Sequence, residues 1–135
     1  MTFLNRLQPL GLLVLRLVLG IIMIAHGWQK IADHLHGITG MLHQLGLPPY
    51  MAYLVVATEF AGGILIFIGF LTRLAAFATF IEMLVAILKV HLPHGLFTSN
   101  GGFEFPLSCA AIAFALIFSG AGPIAIDWLW GSKGR

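Results

Sequence analysis

Long apolar stretches alternate with short polar segments along the chain, and this pattern predicts membrane-spanning helices. A helix needs about 20 predominantly apolar residues to cross the hydrocarbon core of a bilayer. Four stretches reach or approach that length, at about residues 10–28, 50–70, 73–91 and 105–120. Prolines or glycines stand close to their ends, as is typical of helix starts and stops. The pattern predicts an all-α fold: an integral membrane four-helix bundle formed by a single domain over residues 1–135.

Composition supports a membrane location and excludes several classes of protein. Only 9% of the 135 residues are charged and 59% are hydrophobic, whereas about a quarter of the residues in a soluble domain are charged. This balance excludes a soluble enzyme and a disordered segment, and the thinly spread basic residues exclude a nucleic-acid partner. The single cysteine, Cys109, excludes an internal disulfide and is interpreted as a small packing residue in the fourth helix.

The distribution of Lys and Arg predicts the orientation, because cytoplasmic loops carry an excess of these residues. One side of the membrane would carry Arg6, Arg73, Lys133 and Arg135, and the other side Lys30 and Lys89. We therefore expect both termini in the cytoplasm, with the first helix retained as a signal anchor. The loops at about 29–48 and 92–104 would then face outward, and they hold His34, His36, His43 and His94.

Ionisable residues inside the predicted spans are the strongest candidates for function. Arg16, Glu59 and Glu82 lie within apolar segments, where a charge costs about 2.5–3.5 kcal/mol or more and needs a partner inside the bundle. Small residues accompany these charges and predict close helix packing. The packing glycines are Gly20, Gly27, Gly62 and Gly63.

Depth along the helix predicts where these charges meet. At about 1.5 Å per residue, Arg16 and Lys30 are separated by about 21 Å, so Arg16 is expected to pair deep in the bundle with Glu59 or Glu82. The remaining candidates would gather at the outer mouth. The whole predicted ligand or proton pocket comprises Arg16, His26, Lys30, Glu59, Glu82, Lys89, His91 and Glu104.

Two interpretations of this cluster stay open on the sequence alone. Buried ion pairs often only fix helix register and packing. Alternatively, the cluster forms a polar pocket that opens outward and binds a small anionic or quinone-like ligand or relays protons. His91 and His94 with His26 and Glu104 also have the chemistry of zinc or iron ligands, but histidines in interfacial loops are usually solvated, so we assign no metal.

Short motifs in a fixed order resemble the DoxX family of small bacterial membrane proteins over nearly the whole chain. Each motif combines one of the candidate residues above with neighbouring small or aromatic residues. They are Leu15-Arg16-Leu17 with Gly20, His26 to Lys30, Glu59 to Gly63, Gly69 to Arg73, Ala86 to His91 with Pro93 and Gly95, Gly102 to Leu107, and Gly120-x-Gly122 to Asp127.

The resemblance implies a multi-pass protein of the bacterial inner membrane with four helices. The family takes its name from subunits of a thiosulfate:quinone oxidoreductase, which implies a role as a subunit or accessory of a membrane redox complex, a quinone as the cofactor, and a soluble or membrane oxidoreductase as partner. This chain resembles the minimal four-span form, without the partner that thiosulfate oxidation would require, so enzymatic activity of its own is left open. The alternative is a non-catalytic membrane protein for small-molecule or lipid binding, transport or assembly. In either case we expect a homo-oligomer in the lipid bilayer.

Overall fold

A computed structural model describes residues 2–131, and this part of the chain is all-α, as predicted, with no strand. Met1 and residues 132–135 lie outside the described residues, and with them Lys133 and Arg135, on which the expected orientation partly depends. The helices are α1 (Thr2–Arg6), α2 (Gln8–Ala32), α3 (His36–Gln44), α4 (Met51–Ile68), α5 (Thr72–His94), α6 (Glu104–Ser119) and α7 (Ile126–Gly131).

Helices α2, α4 and α5 are long and apolar enough to cross a membrane. Helix α6 is also apolar but has 16 residues, fewer than the roughly 20 that a span usually needs. The structure therefore has three to four apolar helices that are compatible with a membrane bundle. A fourth span formed by α6 stays a prediction.

The helices bury a core of small and larger apolar residues with a few polar ones, and they expose many large apolar side chains. Helix α2 packs mainly against α4, and α5 packs mainly against α6. The core between them is apolar, and it includes the small residues Cys109, Ala110 and Ala113, so the interpretation of Cys109 as a packing residue is confirmed. Leucine, isoleucine and phenylalanine side chains cover the outer faces instead, as expected where the surroundings are lipid and not water.

Glycines let α2 and α4 approach until their backbones touch. A Cβ atom on Gly27 would lie 2.6 Å from the backbone nitrogen of Phe60, and one on Gly63 would lie 2.8 Å from the backbone nitrogen of Ile24. A Cβ atom on Gly20 would lie 2.8 Å from the Cβ atom of Phe67. Gly62 is different, because its nearest neighbour would be 3.8 Å away. Three of the four predicted packing glycines therefore sit in close helix contacts, and Gly62 does not.

Helix α3 stands where the sequence suggested only a loop. Asp33 caps it by accepting a hydrogen bond from the backbone N–H of Gly37 at 2.7 Å. Ile38 and Leu42, one helical turn apart, are buried against Ala52 at the start of α4. This nine-residue helix is therefore a packed element beside the ends of α2 and α4.

Two wide turns interrupt the regular winding of the long helices. Ala57–Ala61 in α4 and Ile87–His91 in α5 are π-helical, a conformation that is rare and frequently found at functional sites. The first turn carries the buried Glu59 and the second carries Lys89.

Candidate functional site

Arg16 does not pair with Glu59 or Glu82, so that expectation is wrong. Its guanidinium group donates hydrogen bonds to three backbone carbonyls, those of Phe67 at 3.3 Å and of Ala121 and Ile124 at 2.7 Å each. The carbonyls of Ala121 and Ile124 belong to the irregular segment after α6, where no helix supplies partners for them. Arg16 therefore ties this segment to α2 and α4.

Asp127 strengthens the same end of the bundle. Its carboxylate accepts hydrogen bonds from the backbone N–H groups of Leu71 at 2.7 Å and Thr72 at 2.9 Å, which lie at the start of α5. Leu71 has a left-handed backbone (φ 48°), an uncommon conformation for a leucine, and Asp127 holds it in place. Arg73 adds a third tie by donating to the carbonyl of Ile117 at 2.8 Å. These contacts fasten α7 and the end of α6 to the turn between α4 and α5.

Lys30 and Glu59 form an ion pair toward the opposite end of the α2–α4 pair. Lys30 lies about 21 Å along α2 from Arg16. The Nζ atom of Lys30 lies 2.8 Å from Oε1 and 2.7 Å from Oε2 of Glu59. The Glu59 side chain is 6% exposed and that of Lys30 is 23% exposed. The π-helical turn of α4 carries Glu59, and the last two turns of α2 carry Lys30.

A cavity of about 620 Å³ opens beside this ion pair, between α3, α4 and α5. Four of the predicted pocket residues line it, namely Lys30, Glu82, Lys89 and His91. Most of its other walls are apolar. The apolar wall includes Met41, Leu42, Leu45, Leu54, Val55, Phe77, Ile81 and Val85. The cavity is therefore a mainly hydrophobic chamber with a few charged groups on its wall.

Glu82 contributes the most unusual group of this wall. Its Oε2 atom is shielded from solvent and has no hydrogen-bond partner within the described part of the chain. Buried polar atoms nearly always have such a partner, and leaving one without it destabilises a protein by about 1–3 kcal/mol. An unsatisfied carboxyl oxygen beside an apolar chamber indicates a site that can accept or donate a hydrogen bond to a bound molecule.

The other four predicted pocket residues do not line the cavity; they are Arg16, His26, Glu59 and Glu104. The Nδ1 atom of His26 donates to the carbonyl of Ile22 at 2.8 Å, and its ring stacks on Phe105 with centroids 5.5 Å apart. Glu104 accepts a hydrogen bond from the backbone N–H of Thr98 at 2.7 Å, which fixes the loop before α6. His91 lines the cavity and also donates to the carbonyl of Gly101 in that loop, at 2.7 Å.

The four side chains with metal-ligand chemistry, His26, His91, His94 and Glu104, do not converge. Among residues 2–131, no group of three or more His, Cys, Asp or Glu side chains is placed to hold a metal ion. The nitrogen Nδ1 of His94 instead donates to the carbonyl of Val90 in its own helix, at 3.0 Å.

Sequence reasoning missed the apolar half of the site. The wall from α3 was absent from the predicted pocket, although Ile38, Leu42 and Leu45 recur at helical spacing within the outer loop. Thr58, which also lines the cavity, directly precedes Glu59. The pattern of α3 was the one signal that could have revealed this wall.

The long apolar helices are those of a membrane protein, and the cavity between α3, α4 and α5 has the size of a ligand site. Comparison with known proteins gives the family. The family model named DoxX matches residues 11–92. The chain is 33% identical over 123 residues to "Putative oxidoreductase CatD" of Bacillus subtilis, and the aligned region covers 91% of this chain and 89% of the relative. It is 31% identical over 129 residues to "Inner membrane protein YqjF" of Escherichia coli, covering 96% of this chain and 98% of the relative. The chain belongs to the DoxX family, and no solved structure matches it.

Proposed function

We propose that this DoxX-family membrane protein is a subunit or accessory of a redox complex in the bacterial inner membrane, and that its cavity binds a quinone or a similar small molecule. The observation that carries the proposal is the chamber of about 620 Å³ with Lys30 and Glu82 on an otherwise mostly apolar wall. Ligand sites typically have about 300–1,000 Å³ and combine apolar walls with a few polar groups. A quinone has the matching chemistry, since a polar ring is joined to an apolar tail.

The redox part of the proposal draws on the relatives and on the residue types of the chain. CatD carries the name of an oxidoreductase and YqjF that of an inner membrane protein. The chain has one cysteine, and the chemistry of electron transfer usually belongs to a bound cofactor. We therefore assign electron transfer to the bound quinone and to an oxidoreductase partner, and we assign binding and orientation to this protein.

The membrane arrangement is part of the same proposal. Four spans, with α6 as the fourth, would place both termini in the cytoplasm and the cavity near the outer surface. Arg6 and Arg73 would then lie on the cytoplasmic side, in agreement with the positive-inside rule. A homo-oligomer in the bilayer belongs to this arrangement as well.

Co-purification tests the proposal with a matched pair of variants. Ala78 lines the cavity and Ala111 is exposed on α6, so Ala78→Phe fills the chamber while Ala111→Phe adds the same ring on an outer face. Mass spectrometry of solvent extracts should find quinone with the wild type and with Ala111→Phe, and a strong loss with Ala78→Phe. Equal amounts of quinone in all three samples would contradict a site in the cavity. Phospholipid retained in the same pattern, without quinone, would favour the non-catalytic lipid-binding alternative.

A further inference from the structure

We propose that Glu82 anchors the head group of the cavity's ligand, and that the cavity therefore selects an amphiphile with a neutral, hydrogen-bonding head over a charged one. The inference rests on the proposed function, because it requires a ligand in the cavity. It adds to that function the residue that sets specificity and the charge class of the ligand.

Lys30 is not available to bind an anion. Both oxygens of the Glu59 carboxylate lie within 2.8 Å of its Nζ atom, so its charge is already compensated. The second cavity lysine, Lys89, is exposed to solvent, where water and salt screen its attraction for an anion. An anionic head group would therefore find no free, buried cation among the described residues.

The buried charges around the chamber already cancel, because Lys30 and Glu59 form an ion pair. Glu82 adds no charge in its protonated form, which a carboxyl group buried without a compensating cation favours. A charged head group, whether an anion or a cation, would leave this balance with one excess charge next to apolar walls. Burying an uncompensated charge is strongly unfavourable, whereas a neutral head group keeps the balance.

Glu82 supplies what a neutral head group needs. Its Oε2 atom is buried and has no hydrogen-bond partner among the described residues. On α5 its neighbours in the cavity wall, Ala78, Ile81 and Val85, are apolar. The protonated carboxyl group of Glu82 would donate a hydrogen bond to a carbonyl of the ligand, or accept one from a ligand hydroxyl, while the apolar part of the ligand would contact the side chains of α3 and α5.

Thermal-shift titrations of the purified, detergent-solubilised protein test the inference. The probes are decylubiquinone, myristate and tetradecyltrimethylammonium, which share an apolar tail and carry a neutral, an anionic and a cationic head. Only decylubiquinone should raise the Tm in a saturable way that Ala78→Phe abolishes, because a ligand that binds the folded state stabilises it. Saturable binding of either charged probe that Ala78→Phe abolishes would overturn the selection for a neutral head.

Glu82→Leu separates an anchoring role from a purely structural one. Removing an unsatisfied buried oxygen should leave the Tm of the ligand-free protein unchanged or higher, and it should raise the Kd for decylubiquinone about tenfold or more. Glu82→Gln, which keeps a carbonyl oxygen and a hydrogen-bonding amide, should retain most of the affinity. An unchanged Kd in Glu82→Leu would overturn the anchor while leaving the cavity site in place. Decylubiquinone binding that Ala78→Phe does not affect would instead refute the cavity site itself.

Discussion

The ion pair between Lys30 and Glu59 gives the sharpest stability prediction. The Glu59 side chain is 6% exposed, and Lys30 contacts both of its carboxylate oxygens at 2.7 and 2.8 Å. Lys30→Met would leave this carboxylate buried without compensation, a change that typically costs about 3–5 kcal/mol. Because the Lys30 side chain is 23% exposed, water can partly replace it. We therefore expect a loss at the lower end, about 3 kcal/mol in the free energy of unfolding.

A double-mutant cycle measures this interaction directly. Lys30→Met, Glu59→Leu and the double variant would be unfolded in mixed micelles with increasing denaturing detergent. The double variant should lie within about 1 kcal/mol of the wild type, because replacing both charges by apolar groups leaves none unpaired. Lys89→Met, which removes an exposed lysine near the same cavity, serves as control and should change stability by about 0.5 kcal/mol or less. Additive effects of the two single substitutions would refute a direct ion pair.

Four further substitutions test the packing and the opposite end of the bundle by the same unfolding assay. Gly27→Ala should lower the free energy of unfolding by about 1–3 kcal/mol, because the new methyl group would clash with the backbone of Phe60. Gly62→Ala, where the new methyl group would make only an ordinary van der Waals contact at 3.8 Å, should be neutral or stabilising by up to about 1 kcal/mol, and equal losses at both glycines would contradict the packing account. Asp127→Ala should cost about 1–2 kcal/mol because α5 loses its cap, and a change below about 0.5 kcal/mol would show that the cap is dispensable. Arg16→Met leaves three carbonyls without their donor and should cost more than Asp127→Ala, whereas a smaller cost would contradict its proposed role in fastening the segment after α6.

The helices could be predicted from the sequence because apolar length alone determines what can cross a bilayer. The predicted span at residues 50–70 lies close to Met51–Ile68, and that at 73–91 lies close to Thr72–His94. Helix α3 was not predicted because its nine residues sit in a histidine-rich loop, where polar composition obscures the spacing of Ile38 and Leu42.

The candidate site could be predicted only in part, because sequence gives charges but not their partners. Lys30 and Glu82 line one cavity, and Glu59 contacts Lys30 beside it. Arg16 was misplaced because its partners are backbone carbonyls. Every residue has such a carbonyl, so no side-chain pattern identifies the three that a buried arginine will use. In this structure Arg16 holds the segment after α6 against α2 and α4.

Photoaffinity labelling with an azidoquinone tests the central claim, a quinone site in the cavity, most directly. The purified protein would be irradiated with the probe, digested and analysed by mass spectrometry, with decylubiquinone as competitor. We predict that the adducts suppressed by the competitor map to the cavity walls formed by α3, α4 and α5, at residues such as Met41, Thr58 and Val85. Adducts confined to the exposed face of α6, around Phe114 and Phe118, or adducts that the competitor does not suppress, would contradict the account.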